Sequence, residues 1–396
     1  MDGQISRRQF LRTAGAVAAT ATWNFGWVWI GRAQAAPKIE LLETKVISHQ
    51  SDLYHGWPTV ARRRTGQLLL VYSGGREEHV CPFGRVELMR SDDEGRSWGW
   101  PCVLMDTEID DRDSGVLETA QGSILVTTFT SLAYEAILTE EERRVVEGKP
   151  TWAPERLRRW QAAHRRLPAE KRDTMLGQWM LRSTDGGATW SAPYRVPINS
   201  PHGPFQLQNG RLLYAGKELW HAKEQRIGVC ESMDDGQTWS WLATIPTRPG
   251  DDHRQYHELH GVEAADGRLV VQIRNHNKAN SGETLQTHSI DGGKTWAMPY
   301  EIGVWGLPSH LLRLRDDRLL MTYGHRRPPF GVQARLSEDH GQHWSKPILI
   351  AQDGIGADLG YPSTVQLSDG SLLTVWYEVM KGNPRAVLRQ AKWKLL

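Results

Sequence analysis

The chain has 396 residues, of which 39% are hydrophobic and 24% are charged, a composition typical of a folded globular protein. The 48 Lys and Arg residues nearly balance the 46 Asp and Glu residues, so the formal net charge is only +2. This excludes the strongly basic surface on which nucleic-acid binding depends, and we expect no nucleic-acid partner. The three cysteines allow at most one disulfide and show no C-x-x-C or Cys/His spacing, so we expect no metal and no cofactor.

The first 36 residues have the features of an export signal. Ser6-Arg7-Arg8-Gln9-Phe10-Leu11 resembles the twin-arginine motif, a moderately apolar stretch runs from Ala14 to Ile30, and Ala33-Gln34-Ala35 offers small residues for cleavage. Thr, Asn and Gly interrupt the apolar stretch, which argues against a membrane anchor. We expect a signal peptide over 1–36, a mature protein of 37–396 without a membrane span, and a periplasmic or secreted location.

One pattern, S-x-D-x-G-x-x-W, recurs through the rest of the chain and predicts a structural turn. Ser and Asp side chains accept backbone N–H bonds in tight turns, Gly supplies a positive φ, and Trp packs against the neighbouring repeat. The pattern resembles the Asp-box of the sialidase superfamily, whose members are β-propellers. From Ser183 onward the copies begin about 50 residues apart, enough for one four-stranded blade of such a propeller each. The interval before Ser183 is nearly twice as long, which predicts a blade without the pattern and an insertion there. The five copies begin at Ser91, Ser183, Ser232, Ser289 and Ser337.

A second pattern gives the number of blades. A small turn followed by Gly-x-Leu-Leu, or a near equivalent, occurs six times and announces a strand. We therefore expect an all-β fold, a six-bladed β-propeller of four-stranded antiparallel blades over 37–396. The alternating segment Ile39–Ile47 should be a strand that completes the sixth blade and removes its exposed edge. The six markers begin at Gly66, Gly122, Gly210, Gly267, Asp317 and Gly370.

Residues 134–174 differ from the Val-, Leu- and Thr-rich segments around them. They are charged and helix-favouring, which predicts a helical insertion in blade 2. The arginines in this segment are offset by glutamates, as on a solvated helix face. We expect the insertion to form a rim over the mouth of the propeller.

A polar or ionisable side chain precedes each strand marker. The innermost strands of a propeller begin around its central axis, so these side chains should converge there. Burying several titratable groups together has a cost that a fold alone does not require, and we interpret the set as an active site. Trp57 offers a platform for a sugar face. The other members are His55, Asp111 or Asp113, His202, Glu258 with His260, His310, and Tyr361.

The S-x-D-x-G-x-x-W pattern resembles the Asp-box of the sialidase superfamily, and the resemblance covers nearly all of the chain after residue 40. HELHGVEAADGRLVVQIR resembles the sialidase segment with a Glu before a strand and an Arg at its end, here Glu258 and Arg274. LGYPSTVQLSDGSLLTVWYE resembles the segment with the catalytic tyrosine and a later carboxylate, here Tyr361 and Glu378. The resemblance implies that Tyr361 is a nucleophile and Glu258 the base that removes its proton. A phenol with a pKa of about 10 needs such a base.

The segment SGGREEH stands where sialidases hold binding Arg and acid Asp residues. It offers Arg76 for binding and Glu78 or His79 as the acid, with a ring histidine as the other possibility. Two departures concern the arginines that bind the sialic acid carboxylate. The first is absent, since His55-Gly56-Trp57-Pro58 replaces an Arg-Ile-Pro-like tripeptide. For the third, GHRRPPFGVQAR offers Arg326, Arg327 and Arg335, of which we select Arg327. These departures affect the substrate more than the fold.

Two classes of enzyme fit these residues. The first is an exo-acting glycoside hydrolase of the sialidase type that cleaves a terminal acidic sugar, sialic-acid-like or uronate-related, from a glycan or oligosaccharide. The alternative is a polysaccharide lyase or rhamnosidase-like propeller enzyme, with His and Tyr removing a proton from a uronate and protonating the leaving oxygen. A lectin would not need a Tyr–Glu pair. We expect the hydrolase.

Overall fold

Six four-stranded antiparallel sheets make up the fold. A computed structural model describes residues 37–220 and 223–396, so the predicted signal peptide lies outside the described residues. The predicted all-β six-bladed propeller is confirmed. From the innermost strand outward, blade 1 contains β2 (Tyr54–Arg62), β3 (Leu68–Arg76), β4 (Arg85–Ser91) and β5 (Cys102–Met105), and blade 2 contains β6 (Asp110–Glu118), β7 (Ile124–Ser131), β8 (Gln178–Ser183) and β9 (Tyr194–Arg195). Blade 3 contains β10 (Phe205–Gln206), β11 (Leu212–Lys217), β12 (Ile227–Ser232) and β13 (Ser240–Thr244), and blade 4 contains β14 (Tyr256–Glu263), β15 (Leu269–Asn275), β16 (Glu283–Ser289) and β17 (Tyr300–Trp305). Blade 5 contains β18 (Ser309–Arg313), β19 (Leu319–His325), β20 (Phe330–Ser337) and β21 (Ile348–Gly354), and blade 6 contains β22 (Leu359–Gln366), β23 (Leu372–Val379), β24 (Ala386–Leu395) and β1 (Ile39–Val46).

The hydrophobic core lies between the blades. The second strand of each blade follows one of the six markers, and its residues are buried on both faces because each sheet packs against its two neighbours. In β3, for example, the run from Leu68 to Tyr72 is almost fully buried. The near-continuous apolar sequence of these strands follows from this two-sided burial.

The S-x-D-x-G-x-x-W segments form the turns between the third and fourth strands, at the outer edge of blades 1 to 5. In the third blade the Ser232 hydroxyl donates to Asp234 (2.8 Å) and accepts from the Gly236 N–H (2.9 Å), while Asp234 accepts from the Thr238 N–H (2.9 Å). The expected turn is confirmed. The expectation of a pattern-free blade between Ser91 and Ser183 is wrong, since that interval holds one blade enlarged by an insertion, and the sixth blade lacks the pattern.

The N-terminal strand closes the ring. β1 pairs antiparallel with β24, from Ile39 opposite Leu395 to Val46 opposite Arg389, and completes the sixth sheet as predicted. The last sheet thus contains both ends of the described chain, and the edge of β24 is covered.

The insertion between β7 and β8 is helical, as expected from its composition. Its three helices are α1 (Tyr134–Val146), α2 (Pro154–His164) and α3 (Ala169–Met175). Buried Trp160 and Leu138 pack with Cys81 and Ile109 of the propeller. Trp160 and Arg159 also bind Glu77, at 3.0 and 2.7 Å, which fixes the helices to the loop after β3. Within the described ranges, no helix has the length and apolar character needed to cross a bilayer.

Candidate active site

A backbone irregularity in the innermost strands aims side chains toward the propeller axis. In blades 1, 2, 4 and 6 two consecutive residues of the inner strand form a bulge and do not pair with the second strand. The first residue of each bulge has a positive φ. Such a bulge turns a side chain out of the regular alternation, and a non-glycine residue at positive φ is strained, a feature that clusters at functional sites. The four residues are Trp57 (φ 56°), Asp113 (φ 43°), Glu258 (φ 47°) and Tyr361 (φ 52°).

Two of these bulge residues form a hydrogen-bonded pair with an arginine. The Tyr361 hydroxyl donates to one oxygen of Glu258, and Arg274 Nη1 donates to the other at 2.5 Å. The same Arg274 nitrogen lies 3.2 Å from the Tyr361 hydroxyl. Tyr361 comes from β22, Glu258 from β14 and Arg274 from β15, so three strands of two blades build the pair that the sequence suggested.

The electrostatics of the pair favour a neutral phenol and an ionised carboxylate. Burial and the charges of Glu258 and Asp113 raise the pKa of Tyr361 well above its ordinary value. Burial opposes ionisation of Glu258, but Arg274 and the hydrogen bonds from Tyr361 and Arg274 prevail and lower its pKa. In this arrangement a carboxylate can accept the proton of the phenol.

Arginines from different blades surround this pair. The Arg326 guanidinium lies 5.8 Å from the centre of the Tyr361 ring, and its Nε donates to the carbonyl of Leu359 at 2.7 Å. The Arg112 guanidinium lies 4.4 Å from the centre of the Trp57 ring, and its buried Nε has no hydrogen-bond partner. Arg327, which we selected from the sequence, points elsewhere and stacks on Trp305 at 5.2 Å.

Asp113 and Glu258 share a cavity of about 340 Å³. Asp113 is 5% exposed, and its Oδ1 has no hydrogen-bond partner. Burial raises its pKa to about 7, with Arg112 acting in the opposite direction. The far wall of the cavity is largely apolar and comes from blades 2 and 3, with one lysine; it includes Phe129, Pro201, Lys217, Leu219 and Trp220.

On the other side of Tyr361, His79 belongs to a polar cluster. His79 Nδ1 lies 3.0 Å from Asp358, and the Tyr54 hydroxyl lies 2.8 Å from His79 and donates to Asp358 at 2.9 Å. The Trp57 ring connects the cluster to the Tyr361–Glu258 pair, because its centre lies 5.0 Å from that of His79 and 6.3 Å from that of Tyr361. The side chains of His79 and Asp358 are 44% and 37% exposed, so the cluster opens to solvent.

Three of the predicted histidines form a layer beneath Tyr361. The rings of His202, His260 and His310 have centres 4.6 to 5.4 Å apart, and His202 lies 6.4 Å from the Tyr361 ring. Burial lowers the pKa of all three, that of His310 to about 3, so they are neutral. His260 comes directly after the bulge of blade 4, whereas His202 and His310 come from blades 3 and 5. The three rings lie below Tyr361 and do not line the mouth of the site.

The remaining predicted residues lie in structural contacts. His55 is buried edge-on against Tyr72, Asp111 accepts from the N–H of Thr107 at 2.7 Å, and Glu378 pairs with Arg389. Buried Arg76 forms two hydrogen bonds with Asp110, at 2.5 and 2.9 Å, although its guanidinium also lies 4.8 Å from the Trp57 ring. Glu78 pairs with Arg156 of α2, on the insertion side.

Sequence reasoning missed three residues of the mouth, Tyr54, Arg112 and Asp358, and it set Arg326 aside in favour of Arg327. Tyr54 precedes the predicted His55, and Arg112 lies between the predicted Asp111 and Asp113. In blade 2 the bulge directly after Arg112 was the missing signal, because it changes which neighbour faces the axis. Within 37–220 and 223–396, no three His, Cys, Asp or Glu side chains are arranged to hold a metal ion.

Known families account for the repeats and for the N-terminal segment. The sequence profile of the BNR repeat-like domain matches residues 155–374, more than half of the chain. The chain belongs to this family, within the sialidase superfamily. The profile of the twin-arginine translocation pathway signal sequence matches residues 4–22 of this BNR-repeat protein, which supports the predicted export route.

Individual relatives are distant. A sialidase from Bacteroides fragilis strain YCH46 is 24% identical over 353 residues, which are 81% of this chain and 59% of the relative. The BNR-repeat protein thus spans less than two thirds of that relative's length.

Similar solved structures establish the fold. A protein of unknown function from Dyadobacter fermentans DSM 18053 has a TM-score of 0.72 at 22% identity, over 91% of this chain and all of that one. NanB sialidase from Streptococcus pneumoniae has a TM-score of 0.58 at 14% identity, over 90% and 70%. Trypanosoma rangeli sialidase, solved as a covalent intermediate with 2,3-difluorosialic acid, has a TM-score of 0.57 at 15% identity, over 91% and 60%.

Proposed function

We propose that the protein is an exo-acting glycoside hydrolase of the sialidase type that releases a terminal acidic sugar from a glycan. The observation that carries this proposal is the Tyr361–Glu258–Arg274 group, in which a neutral phenol donates to an ionised carboxylate. A lectin has no use for such a pair, and it stands at the mouth of a fold shared with several sialidases.

In the first half of the reaction, the Tyr361 oxygen attacks the anomeric carbon while Glu258 accepts the phenol proton. The bond to the leaving oxygen breaks, and His79 gives that oxygen a proton. Asp358, 3.0 Å away, holds the imidazole in place for this transfer. Since Nδ1 is engaged by Asp358 and Tyr54, Nε2 is the nitrogen available for the transfer.

In the second half, water attacks the anomeric carbon of the sugar bound to Tyr361, and neutral His79 accepts a proton from this water. The phenolate leaves and recovers its proton from Glu258, which restores the starting state. The covalent intermediate of the Trypanosoma rangeli sialidase, a protein of similar fold, supports this two-step course.

An acidic substrate is favoured by the charges at the mouth. Arg274 and Arg326 flank Tyr361, and Arg112 adds a third guanidinium from blade 2 in place of the arginine missing from blade 1. A carboxylate beside Tyr361 would form charge-assisted hydrogen bonds with such groups. The apolar wall of the 340 Å³ cavity would accommodate an acyl substituent of the sugar, and Asp113 would hydrogen-bond to a hydroxyl or amide there.

The decisive experiment is a glycan screen with the mature protein, 37–396, followed by mass spectrometry and absorbance near 235 nm. Hydrolysis adds one water across the cleaved bond and creates no new absorbance. A lyase product carries an unsaturated uronate, which absorbs at about 235 nm as a result of β-elimination, and its appearance would overturn the proposal in favour of the alternative.

A further inference from the structure

We propose that the helical insertion and the His79 cluster together form a binding subsite for the neutral sugar of the leaving group. This leaving-group subsite rests on the proposed hydrolase function and adds to it the class of glycan that the enzyme prefers. It is a cavity of about 420 Å³ between the propeller and the insertion. Its walls include Tyr54, His79 and Asp358 from the propeller, and Ile137 and Trp152 from the insertion.

The position of the cavity suits a leaving group. His79, the proposed acid, lines it, and the Trp57 ring contacts both His79 and Tyr361. The other cavity, beside Asp113 and Glu258, lies toward blades 2 to 4. A terminal acidic sugar bound there would therefore direct its glycosidic oxygen toward His79 and the sugar beyond it into the leaving-group subsite.

The chemistry of the walls suits a neutral sugar ring. Trp152 and Ile137 provide apolar surface for the C–H groups of the ring, and Asp358 and Tyr54 provide hydrogen-bonding groups for its hydroxyls. The carboxylates of Glu78 and Asp358 line the cavity, and Glu78 is paired with Arg156, so a second acidic sugar would meet negative charge there. The volume also lies in the range of about 300–1,000 Å³ that is usual for small-molecule sites.

The insertion is held firmly enough to form a wall. The Trp152 ring packs on Trp160 at 4.6 Å and under the Arg156 guanidinium at 4.1 Å, while Glu141 accepts from the N–H of Trp152 at 2.8 Å. Trp160 in turn donates to Glu77, two residues before His79. These contacts couple Trp152 to the loop that carries the proposed acid, so the two are positioned as one unit.

The test compares two substrates with the same acidic sugar, sialyllactose and 4-methylumbelliferyl N-acetylneuraminide. Trp152→Ala should lower kcat/KM by about 10-fold or more for sialyllactose and by less than about 2-fold for the aryl glycoside, whose leaving group needs no sugar contacts. Trp152→Phe should recover most of the loss. Trp100→Ala, which removes a 72% exposed tryptophan beyond the first box, is the matched control and should change neither value. Equal effects of Trp152→Ala on both substrates, or no effect on either, would overturn the subsite.

Binding of free lactose, followed by saturation-transfer NMR, separates this inference from the proposed function. Wild-type protein should saturate the lactose signals, and Trp152→Ala should abolish the transfer while its melting temperature shows an intact fold. Loss of the transfer together with an inactive wild type would disprove the hydrolase and keep the subsite. An active wild type that gives no transfer, or the same transfer in both proteins, would disprove the subsite and keep the hydrolase.

Discussion

Replacement of Tyr361 by Phe isolates the one atom on which the proposed chemistry depends. The change removes the hydroxyl that donates to Glu258, while the ring keeps its contacts with Trp57 and Tyr377. Glu258 keeps its 2.5 Å bond from Arg274, so it is not left buried without a partner. A hydrogen bond to a charged group contributes about 1.5–3 kcal/mol, and we expect the fold to survive with a loss of stability no larger than this.

The loss of activity should be much larger than the loss of stability suggests. We expect kcat to fall at least about 10²-fold for Tyr361→Phe and for Glu258→Gln, equivalent to about 3 kcal/mol of transition-state stabilisation. Because the two residues act as one unit, the double variant should cost little more than either single change. Tyr323→Phe removes another buried hydroxyl, one bonded to Gln333 at 2.8 Å in blade 5, and should leave kcat unchanged.

The assay is release of the aryl group from 4-methylumbelliferyl N-acetylneuraminide, with intact-mass analysis after incubation with 2,3-difluorosialic acid. The wild type should gain the mass of one sugar, and Tyr361→Phe should gain none. Near-normal kcat in Tyr361→Phe, on a substrate that the wild type cleaves, would refute the role of Tyr361 as nucleophile. The next candidates for the chemistry would then be His202, His260 and His310, which lie beneath the ring.

Four further predictions rest on other parts of the molecule. Arg326→Ala should raise KM for an acidic substrate about 10-fold or more, because Arg326 lies beside Tyr361. Arg327→Ala, which loses a stacking contact with Trp305, should leave KM unchanged, and equal effects of the two changes would contradict the assignment of the anion site. Trp344→Ala removes a buried ring that donates to Gln286 at 2.9 Å and should lower the free energy of unfolding, measured by urea denaturation, by about 3–5 kcal/mol. Trp239→Ala, which removes a half-buried tryptophan of the same repeated pattern, should lower it less. The folded pKa of Asp113, about 7, lies above its unfolded value near 3.8, so the folded state binds more protons between these limits. The stability of the wild type relative to Asp113→Asn should therefore fall by about 3 kcal/mol as the pH rises from 4 to 7. A difference in melting temperature that does not change with pH would show that the carboxyl is not perturbed. Arg7→Lys with Arg8→Lys should retain the precursor in the cytoplasm on cell fractionation, because the translocase receptor reads the paired guanidiniums, and an unchanged exported yield would disprove this route.

The sequence by itself determined the architecture. Each blade is a local unit of about 50 residues, with its turn chemistry and its apolar strand contained in one stretch of chain, so the repeats announce both the strands and their number. The same locality explains why the blade without the pattern was misplaced, although the number of blades was right. An insertion within blade 2 and an interval holding an extra blade lengthen the spacing before Ser183 in the same way.

The sequence also predicted Tyr361, Glu258 and Arg274 as candidate site residues, because they occupy matching positions in segments that resemble sialidase segments. Only the tertiary structure decided which of their neighbours join them. A two-residue bulge in the inner strand of blade 2 selects Asp113 over Asp111, and nothing in the strand pattern marks where the pairing of the strands breaks. Arg326 meets Tyr361 across the neighbouring blades 5 and 6. Asp358 of blade 6 meets His79 of blade 1, a contact that depends on how the ring closes and is therefore a property of all six blades together.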